Sequence, residues 1–246
     1  MEKILNGMQY RWEISEFPVG EVESLATSLN VSTSVASILY KRGYKDKVSA
    51  QGFLFPTREM YWHDPHLMES SDLAVDRIIE AIEGKEKILV FGDYDVDGIT
   101  STSLLLYSLL MCKADANFFL PNRNIDGYGL SKKGVHRALS AGYSLIITVD
   151  NGITAYEALE YAKSKGIDVI VTDHHQPGEN LPKGAFCIVN PQKKNCEYPF
   201  KGLAGVGVAF KIVSILFEKL NIPIPSKIYE LLMLGTIADM VPLVDE

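Results

Sequence analysis

Three clusters of acidic residues and histidines are the part of this sequence best suited to chemistry. They are Asp93-Tyr94-Asp95-Val96-Asp97-Gly98, Asp150-Asn151-Gly152 and Asp173-His174-His175. Each cluster follows a short apolar run of the kind that forms a buried parallel strand. A single Asp after a strand is often a helix N-cap, but capping uses one residue per helix and does not account for Asp-x-Asp-x-Asp or for paired histidines. Carboxylates this close together need a cation between them.

The donor atoms indicate which cation fits. Carboxylates with one or two imidazoles suit Mn²⁺, whereas oxygen ligands alone suit Mg²⁺. Zn²⁺ is more often bound by thiolates or by more histidines. The sequence has no Gly-Lys-Ser or Gly-Lys-Thr, and its glycines do not follow the Gly-x-Gly-x-x-Gly spacing, so neither a P-loop nor a dinucleotide-binding protein is indicated.

The elements that must position these clusters alternate between helix and strand from Leu73 onward. Such alternation predicts an α/β fold, with a mostly parallel five-stranded sheet and helices on both faces. Ligands of open α/β sheets bind at the carboxyl ends of the strands, where we expect all three clusters. The predicted strands are 87–91, 116–120, 144–149, 168–172 and 185–189, and the predicted helices are 73–83, 99–112, 131–141, 154–165, 202–220 and 226–239.

Two glycine-containing segments are candidates for phosphate binding, because each opens a predicted helix with free N–H groups. Gly98 precedes Ile99-Thr100-Ser101-Thr102, and Gly205 and Gly207 lie within Leu203-Ala204-Gly205-Val206-Gly207-Val208. The second pair of glycines is expected either to bind a phosphate or only to permit close packing. Arg123 follows a predicted strand end, where it either pairs with a phosphate or is a solvated surface residue.

The overall composition limits the class of protein. The 246 residues include 24 basic and 31 acidic side chains, a formal charge of −7, which argues against a generic polyanion binder unless bound cations reverse the local sign. The sequence shows no secretory signal, and no apolar run approaches the roughly 20 residues of a membrane helix. Cys112, Cys187 and Cys196 have spacings that fit neither a zinc site nor a redox pair. We therefore expect a cytoplasmic protein with reduced thiols and no membrane association.

The acidic motifs occur in an order that resembles a known superfamily. The three clusters and a late Ala238-Asp239 resemble the four motifs of the DHH phosphoesterase superfamily, over residues 87–243. Other segments resemble the RecJ branch, the 5′-to-3′ single-strand-specific DNA exonucleases. These segments are Trp12, Pro121-Asn122-Arg123, Gly127-Tyr128-Gly129-Leu130, Asn190-Pro191, Tyr198-Pro199-Phe200-Lys201, residues 203–210 and residues 235–243.

The resemblance implies a two-metal phosphodiesterase site that takes Mn²⁺ or Mg²⁺. It implies that the metal ligands are Asp95, Asp97, Asp150, His174 and Asp239, with Asp150 as the bridge, and that Asp93, Asp173 and His175 are further ligands or partners of the ligands. His174 or His175 would orient the scissile phosphate or protonate the leaving oxygen. Pyrophosphatase relatives carry a histidine ligand four residues before the first ligand Asp, where this chain has Phe91. Asp93 is the expected substitute.

The resemblance also implies a domain organisation and partners. Residues 1–80 would be a family-specific extension packed on the core, and residues 81–246 the catalytic domain. RecJ-like proteins continue with a second domain and a nucleic-acid-binding β-barrel, so the resemblance covers only their N-terminal catalytic part. Single-stranded DNA is the implied substrate, in DNA repair and recombination, with a single-strand-binding protein or a helicase as further partners.

Three other functions are compatible with parts of the pattern. Within the superfamily, the alternative is a phosphodiesterase of short oligonucleotides or cyclic dinucleotides. Some replication scaffolds share the RecJ fold but have lost ligands, whereas the acidic motifs here are intact. Asp95-Val96-Asp97-Gly98-Ile99 also resembles the nucleophile motif of haloacid dehalogenase-type phosphatases, but that scheme needs a later Lys and an acidic pair where this chain has Asp173-His174-His175.

Overall fold

The computed structural model describes residues 2–6, 9–15, 17–123 and 125–246, without the side chains of 2–6, 11–15, 59 and 60. The similarity noted at Trp12 therefore concerns a side chain outside the described set. The chain divides into two compact units, Met1–Trp62 and His63–Glu246.

The first unit combines a hairpin with short helices. Strands β1 (Glu2–Asn6) and β2 (Arg11–Ser15) pair antiparallel. Helices α1 (Val19–Leu29), α2 (Thr33–Lys41), α3 (Lys47–Leu54) and α4 (Arg58–Tyr61) follow. Leu25, Leu39 and Ala50 are among the residues of its apolar core. Two of these helices have side-chain N-caps. The Ser32 side chain accepts a hydrogen bond from the Val35 N–H at the start of α2, and the Asp46 side chain accepts from the Val48 and Ser49 N–H groups at the start of α3.

The second unit contains the alternating elements. It opens with a short 3₁₀ turn at Pro65–Leu67. The elements that follow are α5 (Ser71–Glu83), β3 (Lys87–Phe91), α6 (Val96–Met111), β4 (Asp115–Phe119), α7 (Lys132–Ser140), β5 (Leu145–Val149), α8 (Tyr156–Ser164), β6 (Asp168–Thr172), β7 (Cys187–Val189), α9 (Gly205–Lys219) and α10 (Ser226–Ala238). The predicted α/β architecture is confirmed. The predicted boundary near residue 80 falls within α5, and the role of residues 1–80 as a family-specific extension stays a prediction.

The sheet is parallel throughout, in the order β4-β3-β5-β6-β7. Strands β3 and β5 are neighbours although β4 lies between them in sequence, and β6 lies beside β5. The three strands that precede the acidic clusters therefore lie side by side. Since parallel strands end at the same edge, this order brings the three clusters together.

Helices cover both faces of the sheet. On one face, an apolar cluster joins alternate strand residues to α7 and α8; its members include Leu89, Phe91, Ile146, Val169, Val171, Val135, Ala138, Leu159 and Ala162. On the other face, α6 packs on β3 and β5, and α9 packs on β5 and β6. α6 also packs closely against α9 and α10. Among the described residues we find no helix with the length and apolar character that crossing a membrane requires.

Candidate active site

The loops at the carboxyl edge of the sheet carry the acidic clusters. Asp93, Asp95 and Asp97 follow β3, Asp150 follows β5, and Asp173, His174 and His175 follow β6. Asp239 reaches the same site from the C-cap of α10. The sheet order thus places beside one another residues that are far apart in sequence.

The first loop fixes its carboxylates by tight local geometry. Asp95 is the N-cap of α6, because its side chain accepts a hydrogen bond from the Gly98 N–H at 2.9 Å. Asp93 is buried, and burial raises the pKa of its carboxyl group. A Cβ at Gly98 would lie 2.6 Å from the Asp93 Cβ, so only glycine allows this approach. The N-cap interpretation thus holds for Asp95, while Asp93 and Asp97 need another explanation.

Asp97 binds the N-terminus of α9. One oxygen accepts from the Gly205 N–H at 2.6 Å, and the other accepts from the Val206 N–H at 2.8 Å. Ser101 on the next turn of α6 donates to the same side chain at 3.3 Å. A helix N-terminus stabilises a negative charge, so the carboxylate of Asp97 is held in place although it is only 2% exposed. The Gly207 N–H donates to the Ala204 carbonyl. The predicted phosphate contacts of Gly205 and Gly207 stay predictions, and in this structure both N–H groups donate within the protein.

Asp150 lies at the centre of the cluster in an unusual backbone conformation. Its φ is 62°, in the left-handed region that non-glycine residues seldom adopt. Its N–H donates to the Thr172 carbonyl at the end of β6, at 3.0 Å. A Cβ at Gly205 would lie 2.7 Å from the Asp150 Cβ. The start of α9 therefore approaches Asp150 as closely as a glycine permits.

Asp150 and His174 leave two buried polar atoms unsatisfied. Oδ1 of Asp150 and Nε2 of His174 are 3.2 Å apart, yet neither atom makes a hydrogen bond to any described residue. Burial, with the charge of Asp97, raises the pKa of Asp150 to about 7, although the neighbouring His174 acts to lower it. His174 Nε2 also lies 3.8 Å from Asp97 Oδ2 and 3.7 Å from Asp239 Oδ2. Buried ligand atoms that lack a hydrogen bond and lie among several carboxylates fit a site for divalent cations.

Asp173 holds the histidine loop together. Its Oδ2 accepts from the Ile153 N–H at 2.9 Å, and its Oδ1 accepts from the His174 N–H at 2.8 Å and lies 2.7 Å from His175 Nδ1. Burial opposes ionisation of Asp173, but the hydrogen bond to His175 lowers the pKa of its carboxyl below the usual range. The same bond raises the pKa of His175 to about 9. Both Asp173 oxygens are engaged, so its observed contacts orient the loop and the His175 ring.

Three overlapping groups of side chains can each hold an ion. Within each group the ligand atoms lie no more than 4.8 Å from one another. Asp150 and His174 each belong to two groups, so they lie where neighbouring cations would share ligands. The groups are Asp97 with His174 and Asp239, Asp93 with Asp95 and Asp150, and Asp150 with His174 and His175.

Two residues singled out in the sequence lie outside these groups. Phe91 is buried in the apolar cluster, with its ring centroid 5.3 Å from that of Phe119, so its side chain packs in the core. Asp93, two residues later, lies in a group with Asp95 and Asp150, and its role as the substitute ligand stays a prediction. Arg123 is exposed, and its guanidinium lies 5.6 Å from the Tyr94 ring centroid.

Two residues that touch the site received no role from the sequence. Asn151 is fully buried and bonds to the ends of two strands. Tyr128 places its ring edge-on to His175, with 6.5 Å between centroids. Both lie within motifs that the sequence analysis marked: Asn151 follows Asp150, and Tyr128 lies within Gly127-Tyr128-Gly129-Leu130. Neither motif indicates which atoms Asn151 and Tyr128 contact.

Fold and site together define a class of protein: an α/β protein with a parallel sheet whose carboxyl edge carries carboxylates and histidines able to hold divalent cations. Residues 87–236 match the sequence model of the DHH family, N-terminal domain. This match covers more than half of the chain. The chain therefore belongs to the DHH family.

Several similar proteins carry the name RecJ. The single-stranded-DNA-specific exonuclease RecJ of Bacillus subtilis (strain 168) is 45% identical over 236 residues, which are 96% of this chain and 29% of that protein. A crystal structure of RecJ from Thermus thermophilus in complex with Mn²⁺ has a TM-score of 0.74 and 31% identity, over 94% of this chain and 32% of that one. The Mg²⁺ complex from the same organism has a TM-score of 0.62 and 27% identity, over 94% and 28%. The predicted resemblance is confirmed, and the chain spans less than a third of the length of these relatives.

Proposed function

We propose that this chain is the catalytic part of a metal-dependent 5′-to-3′ exonuclease specific for single-stranded DNA, acting in DNA repair and recombination. The observation that carries the proposal is the buried Asp150 and His174 pair, whose facing atoms have no hydrogen-bond partner among the described residues and lie amid other carboxylates. The names of the relatives support the substrate. The intact acidic groups favour catalysis over a scaffold role.

The proposed cofactors are two Mn²⁺ or Mg²⁺ ions. The Thermus relatives were crystallised with these ions, and carboxylates with imidazole suit them. When bound, two such ions supply positive charge to the phosphate and make water a better nucleophile. The residues proposed to hold them are Asp93, Asp95, Asp97, Asp150, His174 and Asp239, with Asp150 shared between the two ions.

The protein's own contribution is to keep these groups in position. Asp97 is fixed by two N–H groups of α9, so its carboxylate does not have to reorganise when an ion or substrate arrives. Asp173 engages Nδ1 of His175, which leaves Nε2 as the atom of that ring available to substrate. We assign to His175 the contact with the scissile phosphate or the leaving oxygen. Asp173 acts through His175 and His174.

The remaining parts of the proposal concern substrate contacts and location. Arg123 lies beside Tyr94 in the loop region of the site, and we propose that it binds a backbone phosphate. A single-strand-binding protein or a helicase would supply the DNA. Three free cysteines, two of them buried, support a reducing cytoplasm.

A comparison of substrates tests the proposed function. The chain is incubated with Mn²⁺, Mg²⁺ or chelator and with a 5′-labelled strand, a 3′-labelled strand, the matching duplex and a linear or cyclic dinucleotide. We expect metal-dependent release of mononucleotides from the 5′ end of the single strand. Asp150→Asn should abolish release, whereas Asp115→Asn, at an exposed residue at the opposite end of the sheet, should not. Faster cleavage of dinucleotides would support the alternative phosphodiesterase, and metal binding without hydrolysis would support a scaffold.

A further inference from the structure

Asn151 connects the ends of two neighbouring strands. Its side chain is fully buried directly after Asp150. Nδ2 donates to the Phe91 carbonyl at 3.1 Å and to the Val149 carbonyl at 2.9 Å. Phe91 ends β3 and Val149 ends β5. One amide group thus joins the two strands at the point from which Asp93 and Asp150 extend.

The chemistry of the contact fixes the orientation of the amide. A side-chain amide nitrogen has two hydrogens and can donate to two carbonyl groups at once, whereas its oxygen only accepts. With the amide turned over, Oδ1 would face two other oxygens. In the observed orientation, Oδ1 is buried without a hydrogen-bond partner among the described residues and lies on the side of Gly129, where a Cβ would be 3.6 Å away. The unsatisfied oxygen is a cost that the two strand-end bonds offset.

Backbone hydrogen bonds do not replace this connection. The pairing of β3 with β5 ends at Phe91 opposite Thr148. Beyond that point the Gly92 N–H donates to β4 at Phe119, and the Asp150 N–H donates to β6 at Thr172. The loops after β3 and β5 thus bond to strands on opposite sides. No backbone hydrogen bond joins residues 92–95 to residues 150–155, all of which the structure describes. The Asn151 side chain instead links the loop after β5 back to Phe91, the last residue of β3.

The backbone at Asp150 makes this connection more important. Asp150 has a φ of 62° and Gly152 a φ of 113°, so the chain reverses sharply around Asn151. A left-handed conformation at a non-glycine residue persists only when its surroundings hold it. The bond from Asn151 back to the Val149 carbonyl closes this turn across Asp150. The side chain therefore constrains both the direction of Asp150 and its distance from the β3 loop.

We propose that Asn151 is a positioning residue that sets the separation between the carboxylates after β3 and the carboxylate of Asp150, and thereby the spacing of the two cation sites. The inference rests on the proposed function, because it concerns ions that this function requires. Asn151 does not itself contact substrate in this scheme. It acts by holding Asp93, Asp95 and Asp150 in one group.

Two variants and a matched control test the inference. Asn151→Ala removes both donors, and Asn151→Leu removes them while filling the space, in case the alanine variant does not fold. The control is Val149→Ala, which removes buried apolar atoms from β5 but keeps the backbone carbonyl that Asn151 bonds to. Far-UV circular dichroism and thermal unfolding compare the three with the wild type.

The first measurement needs no metal. Hydrogen exchange of the chelator-treated protein should accelerate about tenfold or more at the Gly92 and Asp150 amides in the Asn151 variants. The Leu89 and Ile147 amides, inside β3 and β5, should keep their wild-type rates. Unchanged exchange at Gly92 and Asp150 would overturn the inference whatever the activity of the protein.

The second measurement is Mn²⁺ binding by calorimetry. Loss of a group that orients metal ligands typically weakens affinity by about 10- to 100-fold, and we expect this for the Asn151 variants while Val149→Ala stays close to wild type. Equal Mn²⁺ binding by the wild type and the Asn151 variants, or an equal loss of binding in Val149→Ala, would overturn this inference and leave the proposed function standing. If the wild type itself binds no Mn²⁺, the proposed function is wrong and the inference fails with it.

Discussion

Nε2 of His174 lies 3.2 Å from Oδ1 of Asp150, and within the described part of the chain neither atom is satisfied by a hydrogen bond. The same imidazole nitrogen faces Asp97 and Asp239 at under 4 Å. Without a cation, these carboxylates repel one another in a poorly solvated place, and burial raises the pKa values of Asp97, Asp150 and Asp239. The arrangement is therefore one that costs stability in the metal-free protein.

Replacing Asp150 by Asn separates function from stability. The variant keeps the volume of the side chain but removes the charge that two cations would share. Activity on single-stranded DNA should fall by about three orders of magnitude or more. The melting temperature in chelator should stay level or rise, because a buried, repelled carboxylate is gone.

Asp115→Asn is the control for this change. It removes a carboxylate from an exposed position at the start of β4, and it should leave both activity and melting temperature close to wild type. Near wild-type turnover of Asp150→Asn at saturating Mn²⁺ would remove Asp150 from the site.

Gly205 and Gly207 differ in what an added methyl group would meet. A Cβ at Gly205 would lie 2.7 Å from the Asp150 Cβ, so Asp150 or α9 must move. At Gly207 the nearest atom is a terminal methyl of Leu203 at 3.0 Å, which can rotate away. We expect Gly205→Ala to weaken Mn²⁺ binding by about 10- to 100-fold and Gly207→Ala to change it little. Calorimetric titration of both proteins measures this, and equal affinities would contradict the tight approach of α9 to Asp150.

The sheet and its acidic edge could be predicted because their signals are local. The apolar runs 87–91 and 168–172 are strands with the same bounds in the structure. Helix α6 starts at Val96, three residues earlier than expected, because Asp95 caps it through the Gly98 N–H. The side-chain cap thus places Asp97 in the first turn of the helix, which an apolar pattern does not reveal.

Contacts between distant residues could not be predicted from the sequence. Asp97 and the Gly205 N–H are 108 residues apart, so no short window contains both. The same limit applies to Asn151 and the Phe91 carbonyl. The β1–β2 hairpin was also not predicted, because a two-stranded ribbon has only a weak pattern of its own.

An ion-pair network at the opposite end of the sheet, in which a buried arginine pairs with two partly exposed carboxylates, should contribute measurably to stability. Arg77 of α5 is 8% exposed and bonds to both oxygens of Glu86 and to Asp168, at 2.8 to 3.1 Å. Arg77→Met should lower the free energy of unfolding by about 1–3 kcal/mol, because charged partners lose their donor. Lys132→Met removes an ion pair to Glu157 in which both side chains are exposed. This substitution should change the free energy of unfolding by less than about 0.5 kcal/mol. Urea unfolding of both variants provides the comparison, and similar losses would contradict the role given to burial.

His66 should make stability depend on pH near neutrality. Its Nδ1 lies 2.8 Å from Asp72 Oδ2, and this hydrogen bond raises the pKa of His66 although burial opposes it. Burial also acts against ionisation of Asp72, but its bonds to His66 and Lys219 lower the pKa of that carboxyl, so Asp72 stays charged. The folded state thus favours protonated His66. Its stabilisation is fully present below the unfolded pKa of about 6.5 and is lost as the pH rises through the higher folded value.

The measurement is the difference in melting temperature between wild type and His66→Gln across this range. The difference should be largest near about pH 5.5 and should shrink toward about pH 9. When His66→Gln is made in an Asp72→Asn background, the difference in melting temperature should lose most of its pH dependence, because the main partner of His66 is gone. Glu218, at 3.4 Å, remains as a weaker partner. A difference that is constant with pH, or that grows as the pH rises, would show that the His66–Asp72 contact does not stabilise the imidazolium in the folded protein.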